Sequence, residues 1–396
     1  MVPAAVRLFA RNNRLLYRAV VGVRAYRFER RAAREQARCR AIAATRGWEY
    51  SEDVVRRLVE ERLRRRGLWR GRRQSLHFFV AVHVRSWEGV LLETLRRFGD
   101  VTHFDWSSER FDDSSRDWLT TGRGAMNRRL LVAFHDAHGA RPVDLFFGYL
   151  SNRTVGEECI EQIARHGVIT VNLSLDDWHA FWGSRINGMW QGNAPLVRAF
   201  DVNWTSTLAT CVYYVAEDGV PLFLPEGADP EVHRPHQIAR DIGVSFVGQR
   251  YAHRPLVIDR LRRRGIAVET FGPGWPSGPL PLEEMVGVYS RSAISVGFGG
   301  TNYSRRLVCL KGRDFEVPMS GGLYLTQYNP ELELCYKIGS EILCYHHEDD
   351  LVKQIRDGLR DLGRLEEVRA AGRARALAEH TWEHRTGKRL SVVGLT

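Results

Sequence analysis

Long apolar segments are absent from this sequence of 396 residues. No apolar run approaches the roughly 18 residues that a membrane-spanning helix requires, so we expect no transmembrane helix. The N-terminus has no compact apolar core followed by small residues, and a secretion signal is therefore not indicated. Its arginine content is similar to that of an organelle transit peptide, but no serine precedes Ser51, and transit peptides are rich in serine. These absences favour a cytoplasmic location.

Cysteine pairs and metal-binding motifs are also missing. The sequence contains no CxxC pair, which favours buried thiols in a reducing compartment over a zinc site. It has no HExxH and no spaced DxD, because its paired acids are adjacent, and we expect no bound metal. It also lacks the phosphate-binding loop of ATP-hydrolysing proteins and the GxSxG of hydrolases. The six cysteines are Cys39, Cys159, Cys211, Cys309, Cys335 and Cys344.

Positive charge is concentrated near the N-terminus. The whole chain has a net charge of +11, whereas residues 1–73 contain 21 arginines and 7 acids and carry +14. Residues 74–396 therefore sum to −3. An apolar content of 44% and a charged content of 27% are typical of a soluble globular protein, and the length allows two or more domains. Attraction to an anionic partner is thus a property of the N-terminal segment.

Residues 1–73 are predicted to form an Arg-rich helical extension. Residues 3–48 contain no proline after Pro3 and place apolar residues among the arginines, which indicates a long helix. A second helix is predicted from Glu52 to about residue 66, capped by Ser51. Residues 1–66 can pack on their own protein or a second subunit, lie on an anionic membrane surface, or contact a protein partner. Nucleic acid is the partner that the pattern favours least.

From residue 76 onward, apolar strands alternate with helical patterns. Runs that are apolar on both faces, alternating with helices, indicate a parallel sheet covered on both sides. We therefore predict one doubly wound domain over residues 74–225. Its predicted strands are 76–84, 101–105, 143–149, 168–174 and 200–205, and its predicted helices include 87–98, 126–138 and 155–166.

A second alternation follows a turn-rich connection at residues 222–235. It predicts a second doubly wound domain over residues 236–380, and residues 381–396 are predicted to form a closing helix that returns across the first domain. Ligands of open α/β sheets bind at the carboxyl ends of the strands, so we expect the two domains to face a ligand cleft. The predicted strands are 243–248, 266–271, 293–298, 322–326 and 341–345, with helices at 254–264 and from about residue 351.

The stretch VCLKGRDFEVPMSGG, residues 308–322, has the composition of a ligand site. We predict a helix that ends near Pro318, with two cations and a carboxylate within two turns. Such a set suits an anionic ligand that bears hydroxyl groups, although a solvated salt-bridge surface is the alternative. The candidate residues are Lys311, Arg313, Glu316, Gly321 and Gly322.

Three glycine-containing strand ends add to this candidate site. Glycine after a strand lets a phosphate approach the backbone, and the N-terminus of the next helix adds partial positive charge. Ordinary strand–turn–helix connections are the alternative. The candidates are Gly248, Arg250 and Arg254 in and after VSFVGQR, Gly272 in FGPGW, and Asn302 and Tyr303 in VGFGGTNYSRR.

Acids and histidines of the first domain offer candidates for catalysis. Asp176 and Asp177 follow a predicted strand in NLSLDDW, where either could act as a base or orient a hydroxyl, or cap the next helix. His83 and His135 are isolated histidines, and we interpret both as structural.

The ordered series FVGQR, FGPGW, LKGRDFEVPMSGGLYLTQYNPELE, EILCY–HEDDL and AAGRARALAEHTWEHR resembles the spore-maturation (CgeB-type) branch of group 1 glycosyltransferases. The resemblance covers residues 222–390 and leaves residues 1–73 outside. It implies an α/β fold of the GT-B type, in which two doubly wound Rossmann-like domains face each other across a cleft. The second domain would hold a nucleotide-sugar donor, and the first would hold the acceptor.

The resemblance also implies residue roles. Glu316 matches the carboxylate that binds the nucleotide ribose, Arg250 the cation near the diphosphate, and Gly321–Gly322 a turn of small residues. The nucleotide-diphosphate sugar would be the co-substrate, with no metal or other cofactor, because cations and helix dipoles stabilise the departing diphosphate. Many retaining relatives carry a second glutamate eight residues before this one, where this chain has Val308. A retaining reaction is therefore doubtful.

We therefore hypothesise a metal-independent glycosyltransferase whose acceptor is a glycan, a lipid-linked sugar or a protein. In this hypothesis Arg250, Lys311 and Arg313 neutralise the diphosphate, and Asp176 or Asp177 activates the acceptor. Two other readings of the sequence are a non-catalytic scaffold that binds a partner through its basic arm and a nucleotide-sugar epimerase on the same fold.

Overall fold

The computed structural model describes residues 13–69, 71, 75–85 and 87–395. The chain divides into two compact units. The unit that we call the N-sheet unit contains residues 35–225 and 382–395, and the C-sheet unit contains residues 13–34 and 226–381. The predicted extension is therefore divided between the two units, and residues 1–12 of it lie outside the described part of the chain.

The N-sheet unit is built on six parallel strands in the order β2-β1-β3-β4-β7-β8. Every residue of β1, β3, β4 and β7 is buried, as expected for a parallel sheet with both faces covered. A small antiparallel pair, β5 and β6, lies outside the sheet. The strands are β1 (Leu76–Ala81), β2 (Gly99–Phe104), β3 (Leu145–Gly148), β4 (Ile169–Ser174), β5 (Arg185–Ile186), β6 (Met189–Trp190), β7 (Val202–Thr205) and β8 (Pro221–Phe223).

The C-sheet unit is built on five parallel strands in the order β10-β9-β11-β12-β13. Its core joins strand residues such as Phe246, Ile294 and Leu325 to helix residues such as Ile258 and Ile355. The strands are β9 (Ile242–Val247), β10 (Glu269–Phe271), β11 (Ser292–Val296), β12 (Tyr324–Gln327) and β13 (Leu343–Tyr345).

Helices cover both sheets. Val55, Val59 and Leu63, spaced by four, are the buried positions of α2, and Ser51 caps this helix by accepting a hydrogen bond from the Val54 N–H, as predicted. The helices are α1 (Arg14–Thr45), α2 (Glu52–Arg65), α3 (Glu88–Arg96), α4 (Arg123–Ala140), α5 (Glu157–Ala164), α6 (Asp177–Ala180), α7 (Cys211–Ala216), α8 (Arg254–Arg263), α9 (Leu282–Arg291), α10 (Arg313–Met319), α11 (Glu348–Arg360), α12 (Leu362–Glu379) and α13 (Trp382–Val392).

The first half of α1 packs on loops of the C-sheet unit. The Tyr17 hydroxyl donates a hydrogen bond of 2.8 Å to the Ala252 carbonyl oxygen, and the Ser304 hydroxyl donates one of 2.7 Å to Glu29. The second half contacts the N-sheet unit, where the Gln36 amide donates to the Ala209 carbonyl at 2.7 Å. Packing on its own protein therefore accounts for one face of this helix. No helix within the described ranges has the length and apolar character needed to cross a bilayer.

Helix α13 closes the N-sheet unit with a buried arginine. Trp382, its first residue, stacks on Trp87 with 5.5 Å between ring centroids. The Arg389 guanidinium lies 4.7 Å from the centroid of the Phe147 ring and 4.9 Å from that of Trp204. Arg389 is completely buried, and its nitrogens have no hydrogen-bond partner among the described residues. Burial accordingly lowers the pKa of Arg389 to about 9.

We expect the change Arg389→Met to stabilise the protein. Methionine keeps the contacts with both rings and removes the cost of burying a charge without hydrogen bonds, so the free energy of unfolding at neutral pH should rise by about 1–3 kcal/mol. Urea unfolding measures this change. The control is Lys388→Met at the half-buried neighbouring residue, whose amine pairs with Glu52, and it should lower stability by less than about 1 kcal/mol. A loss of stability in Arg389→Met would show that the guanidinium contributes net stabilisation.

Candidate functional site

Two guanidinium groups converge on Gly248, the residue that follows β9. A Cβ atom at this position would lie 3.1 Å from Nη1 of Arg313 and 3.6 Å from Nη1 of Arg254. The backbone of Gly248 has a φ of +151°, which glycine adopts without strain. Glycine therefore allows two cations to approach the backbone at the end of a strand. The structure brings together three of the predicted donor-site residues at this point.

The next strand end is locked to the first. The Gly248 N–H donates to the Phe271 carbonyl at 2.8 Å, and the Trp275 indole N–H donates to the Gly248 carbonyl, also at 2.8 Å. A Cβ atom on Gly272 would lie 2.6 Å from the Gly248 carbonyl oxygen, so only glycine fits there. The Arg250 guanidinium lies 5.6 Å from the centroid of the Trp275 ring. Gly272 and Arg250 thus belong to the same strand-end cluster as Gly248.

Arg313 has unused hydrogen-bonding capacity. Its Nε and Nη2 atoms are buried and have no hydrogen-bond partner within the described part of the chain. The neighbouring Asp314 does not pair with them, because its carboxylate accepts hydrogen bonds of 2.8 Å from the Lys311 N–H and from the Tyr324 hydroxyl. Burial raises the pKa of Asp314 to about 6 despite these bonds. Unfilled guanidinium donors beside a glycine suit an anionic oxygen of a ligand.

A pair of carboxylates lies one turn further along. A Cβ atom on Gly312 would lie 2.9 Å from Oε1 of Glu316 and 3.4 Å from Oε1 of Glu226. Glu316 is half-buried and Glu226 is buried. Glu226 was not predicted, because it lies in the connection between the two sheets and no local pattern relates it to residue 316. The two carboxylates border the backbone that leads into α10, where they can accept hydrogen bonds from hydroxyl groups.

His253 is a second residue that the sequence did not reveal. It is only 4% exposed, and neither ring nitrogen has a hydrogen-bond partner in the described ranges. A Cβ atom on Gly300 would lie 2.8 Å from its Cε1 atom. Burial, reinforced by Arg305 and Arg254, lowers the pKa of His253 to about 3. A neutral imidazole offers one hydrogen-bond donor and one acceptor. The position of His253 directly before Arg254, in the segment YAHRP, is the only signal in the sequence that could have indicated this residue.

The remaining donor-site candidates lie in the segment between β11 and α10. Tyr303 is held by α1, since the Arg24 guanidinium lies 5.0 Å from its ring centroid and hydrogen-bonds to its hydroxyl. Asn302, beside it, has a left-handed backbone with a φ of +51°. Lys311 precedes α10, and its backbone N–H holds Asp314. Asn302 and Tyr303 therefore lie in the loop after β11, and Lys311 lies just before α10.

Gly321 and Gly322 lie elsewhere. They precede β12, whereas Gly248 follows β9, and the strands are parallel, so the two glycines are at the opposite edge of the sheet. A Cβ atom on Gly321 would lie 2.8 Å from the Pro235 side chain, and one on Gly322 would lie 2.8 Å from that of Val317. The glycines permit the tight turn after α10. The structure does not support their prediction as donor-binding residues.

The N-sheet unit has a cavity of about 290 Å³ at the carboxyl ends of its strands. His83 lines this cavity, and its Nδ1 atom is 2.9 Å from Oδ1 of Asp105. Partial burial opposes ionisation of Asp105, but hydrogen bonds from Ser107, His83 and Val84 lower its pKa. A carboxylate at Nδ1 leaves Nε2 of His83 for another partner. His83 is therefore not isolated, contrary to the sequence-based interpretation. Other residues that line the cavity are Glu88, Trp106, Tyr149, Ser151, Ser174 and Asn193.

The two predicted catalytic aspartates do not line this cavity. Asp177 is completely buried, and its carboxylate accepts hydrogen bonds from Ser174, Thr205 and Tyr214. Burial raises its pKa in spite of these bonds. A carboxyl group enclosed in this way cannot reach a substrate hydroxyl, so the structure does not support Asp177 as a base. Asp176 adopts a left-handed backbone with a φ of +58° at the start of α6, and its role as a base stays a prediction.

No group of three or more His, Cys, Asp or Glu among the residues that the structure describes is arranged to hold a metal ion.

His135, the other histidine interpreted as structural, is exposed on α4 and packs with His166 at 4.8 Å between ring centroids. The charged cluster of the C-sheet unit and the cavity of the N-sheet unit are thus the two candidate sites.

A family model described as Glycosyl transferase-like matches residues 253–391. The match covers less than half of the chain. It includes His253, Arg254, Arg313 and Glu316, but it begins after Gly248 and contains no strand of the N-sheet unit. No curated protein sequence matches the chain.

Several solved structures are similar to the chain along most of its length. Sucrose-phosphate synthase from Thermosynechococcus elongatus is 12% identical, with a TM-score of 0.56 over 80% of this chain and 98% of that chain. The Anabaena protein HepE, solved with UDP-glucose, is 9% identical, with a TM-score of 0.54 over 80% and 99%. A glycosyltransferase from Rickettsia africae is 9% identical, with a TM-score of 0.57 over 81% and 98%. Together with the two parallel sheets, these similarities confirm the predicted GT-B fold.

The buried His253 predicts a loss of stability in mild acid. Its pKa is about 3 in the folded protein and about 6.5 in an unfolded chain, so the unfolded state takes up the proton first as the pH falls. The contribution of the buried, neutral His253 to the free energy of unfolding is therefore complete above about pH 6.5 and is lost progressively toward about pH 3. Between about pH 7 and 5, urea unfolding of the wild type should lose about 2 kcal/mol more than that of His253→Asn.

The exposed His346, changed to asparagine, is the matched control and should keep the pH dependence of the wild type. Equal pH dependence in the wild type and His253→Asn would show that His253 is not buried as described.

Proposed function

We propose that this protein is a glycosyltransferase that moves a sugar from a nucleotide-diphosphate donor to an acceptor hydroxyl group. The observation that carries this proposal is the approach of Arg254 and Arg313 to the Gly248 backbone, with Glu316 one turn further along α10. Cations at a glycine strand end suit phosphate oxygens, and a nearby carboxylate suits sugar hydroxyls. The family-model match and the fold support the same activity. Membership of the spore-maturation (CgeB-type) branch stays part of the proposal.

In this proposal the donor binds in the C-sheet unit. Arg313 and Arg254 hold the diphosphate, Arg250 and Lys311 add positive charge nearby, and His253 donates a hydrogen bond from one ring nitrogen. Glu316 accepts hydrogen bonds from the nucleotide ribose. As the bond between the anomeric carbon and the diphosphate oxygen breaks, negative charge grows on the leaving group, and fixed guanidinium groups stabilise that charge without reorganising. We propose that these cations replace a metal ion.

The acceptor is proposed to bind in the cavity of the N-sheet unit. Asp105 fixes the orientation of the His83 ring through Nδ1, and Nε2 accepts the proton of the acceptor hydroxyl as its oxygen attacks the anomeric carbon. A neutral histidine is a base near physiological pH, and a base of this kind fits an inverting reaction. His83 therefore takes the place that the sequence suggested for Asp177.

Removing the carboxylate of Glu316 should weaken donor binding. A charged hydrogen-bond acceptor contributes about 1.5–3 kcal/mol, so the affinity of Glu316→Ala for UDP and UDP-glucose should fall about 10- to 100-fold. Calorimetry measures the affinity. A panel of nucleotide sugars with other nucleobases should be measured as well, in case the donor is not a uridine nucleotide. The control is Glu333→Ala, at an exposed carboxylate, which should bind like the wild type. Undiminished affinity in Glu316→Ala would remove Glu316 from the site.

Changing His83 should separate turnover from donor binding. Loss of a general base slows the chemical step about 100- to 10,000-fold, so His83→Asn should lose turnover while its affinity for the donor stays unchanged. Release of nucleoside diphosphate from UDP-glucose in the presence of saccharide acceptors measures turnover. His135→Asn, at an exposed histidine of the same unit, is the control and should keep full activity. Wild-type turnover in His83→Asn would exclude it as the base.

A further inference from the structure

The first half of α1 presents apolar side chains to solvent. Leu15 is 80% exposed, Val23 is 52% exposed and Tyr26 is 60% exposed. Residues that are three, four or seven positions apart lie on one face of a helix, and Ala19 and Gly22, also exposed, continue this face. We call it the outer face of α1. Single exposed apolar residues are common on proteins, but a row of them along one helix marks an interaction surface.

Arginines border this outer face. Arg18 lies on one side of the apolar row, and Arg27 and Arg34 lie on the other, by helical spacing. All three are exposed, and none has an acidic partner in the part of the chain that the structure describes. The guanidinium of a fourth, Arg30, lies 5.7 Å from the centroid of the Tyr26 ring. The outer face therefore combines apolar side chains with positive charge that no acid among the described residues pairs with.

Contacts on the opposite side of the helix fix which face points outward. Val21 is buried, the Tyr17 hydroxyl donates to the Ala252 carbonyl, and Glu29 accepts from Ser304. Arg24 lies over the Tyr303 ring. These contacts hold the inner face against the C-sheet unit, so rotation of the helix cannot bury Leu15, Val23 and Tyr26 without breaking them.

We propose that the outer face of α1 docks on an anionic membrane surface. Leu15, Val23 and Tyr26 would enter the interface between headgroups and acyl chains, and Arg18, Arg27 and Arg34 would contact lipid phosphates. Charge complementarity supports this partner, because residues 74–396 carry a net charge of −3 and only the N-terminal segment is strongly basic. A nucleic acid would use the arginines but would gain little from an apolar row between them. The proposal is independent of the proposed catalytic activity.

Sedimentation of the full-length protein with lipid vesicles tests this proposal. The protein should sediment with vesicles of phosphatidylcholine mixed with phosphatidylglycerol and stay in solution with phosphatidylcholine alone. Because each arginine near an anionic surface strengthens binding about fivefold, the triple change R18Q, R27Q and R34Q should weaken binding ~100-fold. The triple change L15S, V23S and Y26S, which keeps every charge, should also reduce binding at least about 10-fold. Circular dichroism checks that both variants are folded.

A matched control removes the same charge elsewhere. Arg116, Arg165 and Arg364 are exposed and lie outside α1, and their replacement by glutamine should leave vesicle binding near the wild-type level. Equal loss in this control would overturn the proposal, since binding would then depend on net charge alone. The proposal would also be overturned if the triple variant L15S, V23S and Y26S still bound vesicles like the wild type. Tight binding of the wild type to a DNA duplex would then identify nucleic acid as the partner.

Discussion

The meeting of two guanidinium groups at Gly248 is the constraint on which the C-sheet unit depends. Like charges that approach the same backbone position repel, and burial of part of their surface adds to the cost. The Phe246 ring offsets some of it, with the Arg254 guanidinium 5.6 Å and the Arg313 guanidinium 5.7 Å from its centroid. We propose that the diphosphate of the donor supplies the rest of the compensation when it binds. In that proposal the two guanidinium groups are already in place before any ligand arrives.

The surrounding structure keeps these cations in place. The Asp314 carboxylate accepts hydrogen bonds from the Lys311 N–H and the Tyr324 hydroxyl at the start of α10. These bonds fix the backbone position of Arg313. Gly272 and Trp275 tie the second strand end to Gly248. Helix α1 also holds the loops that contain Ala252 and Ser304 through hydrogen bonds. Rigid supports of this kind let charged groups act without reorganising, which is what the proposed transfer of a sugar away from a diphosphate requires.

The sequence predicted the sheets more completely than the site. Apolar runs that alternate with helices revealed both parallel sheets, because burial on two faces leaves a local signature. Helix α9 and strand β8 were not predicted, and the second was missed because the prolines of residues 222–235 indicated a connection that begins inside it. Gly248, Arg254 and Arg313 were predicted as candidates because glycines and cations next to strand and helix ends form a short-range pattern, and the structure places them close together. Glu226 and the pairing of His83 with Asp105 depend on tertiary contacts, and no spacing in the sequence encodes them.

Both compact units are discontinuous along the chain, and this has a consequence for the order of synthesis. The strands of the N-sheet leave the ribosome long before α13, whose Trp382 and Arg389 cover Trp87, Phe147 and Trp204. The aromatic rings of the nascent sheet therefore stay uncovered until the residues of α13 have been synthesised. Helix α1 waits as well, because the loops that its first half contacts are made more than two hundred residues later. Folding normally proceeds domain by domain from the N-terminus, whereas here neither unit has all of its residues until the segments after residue 225 have been made.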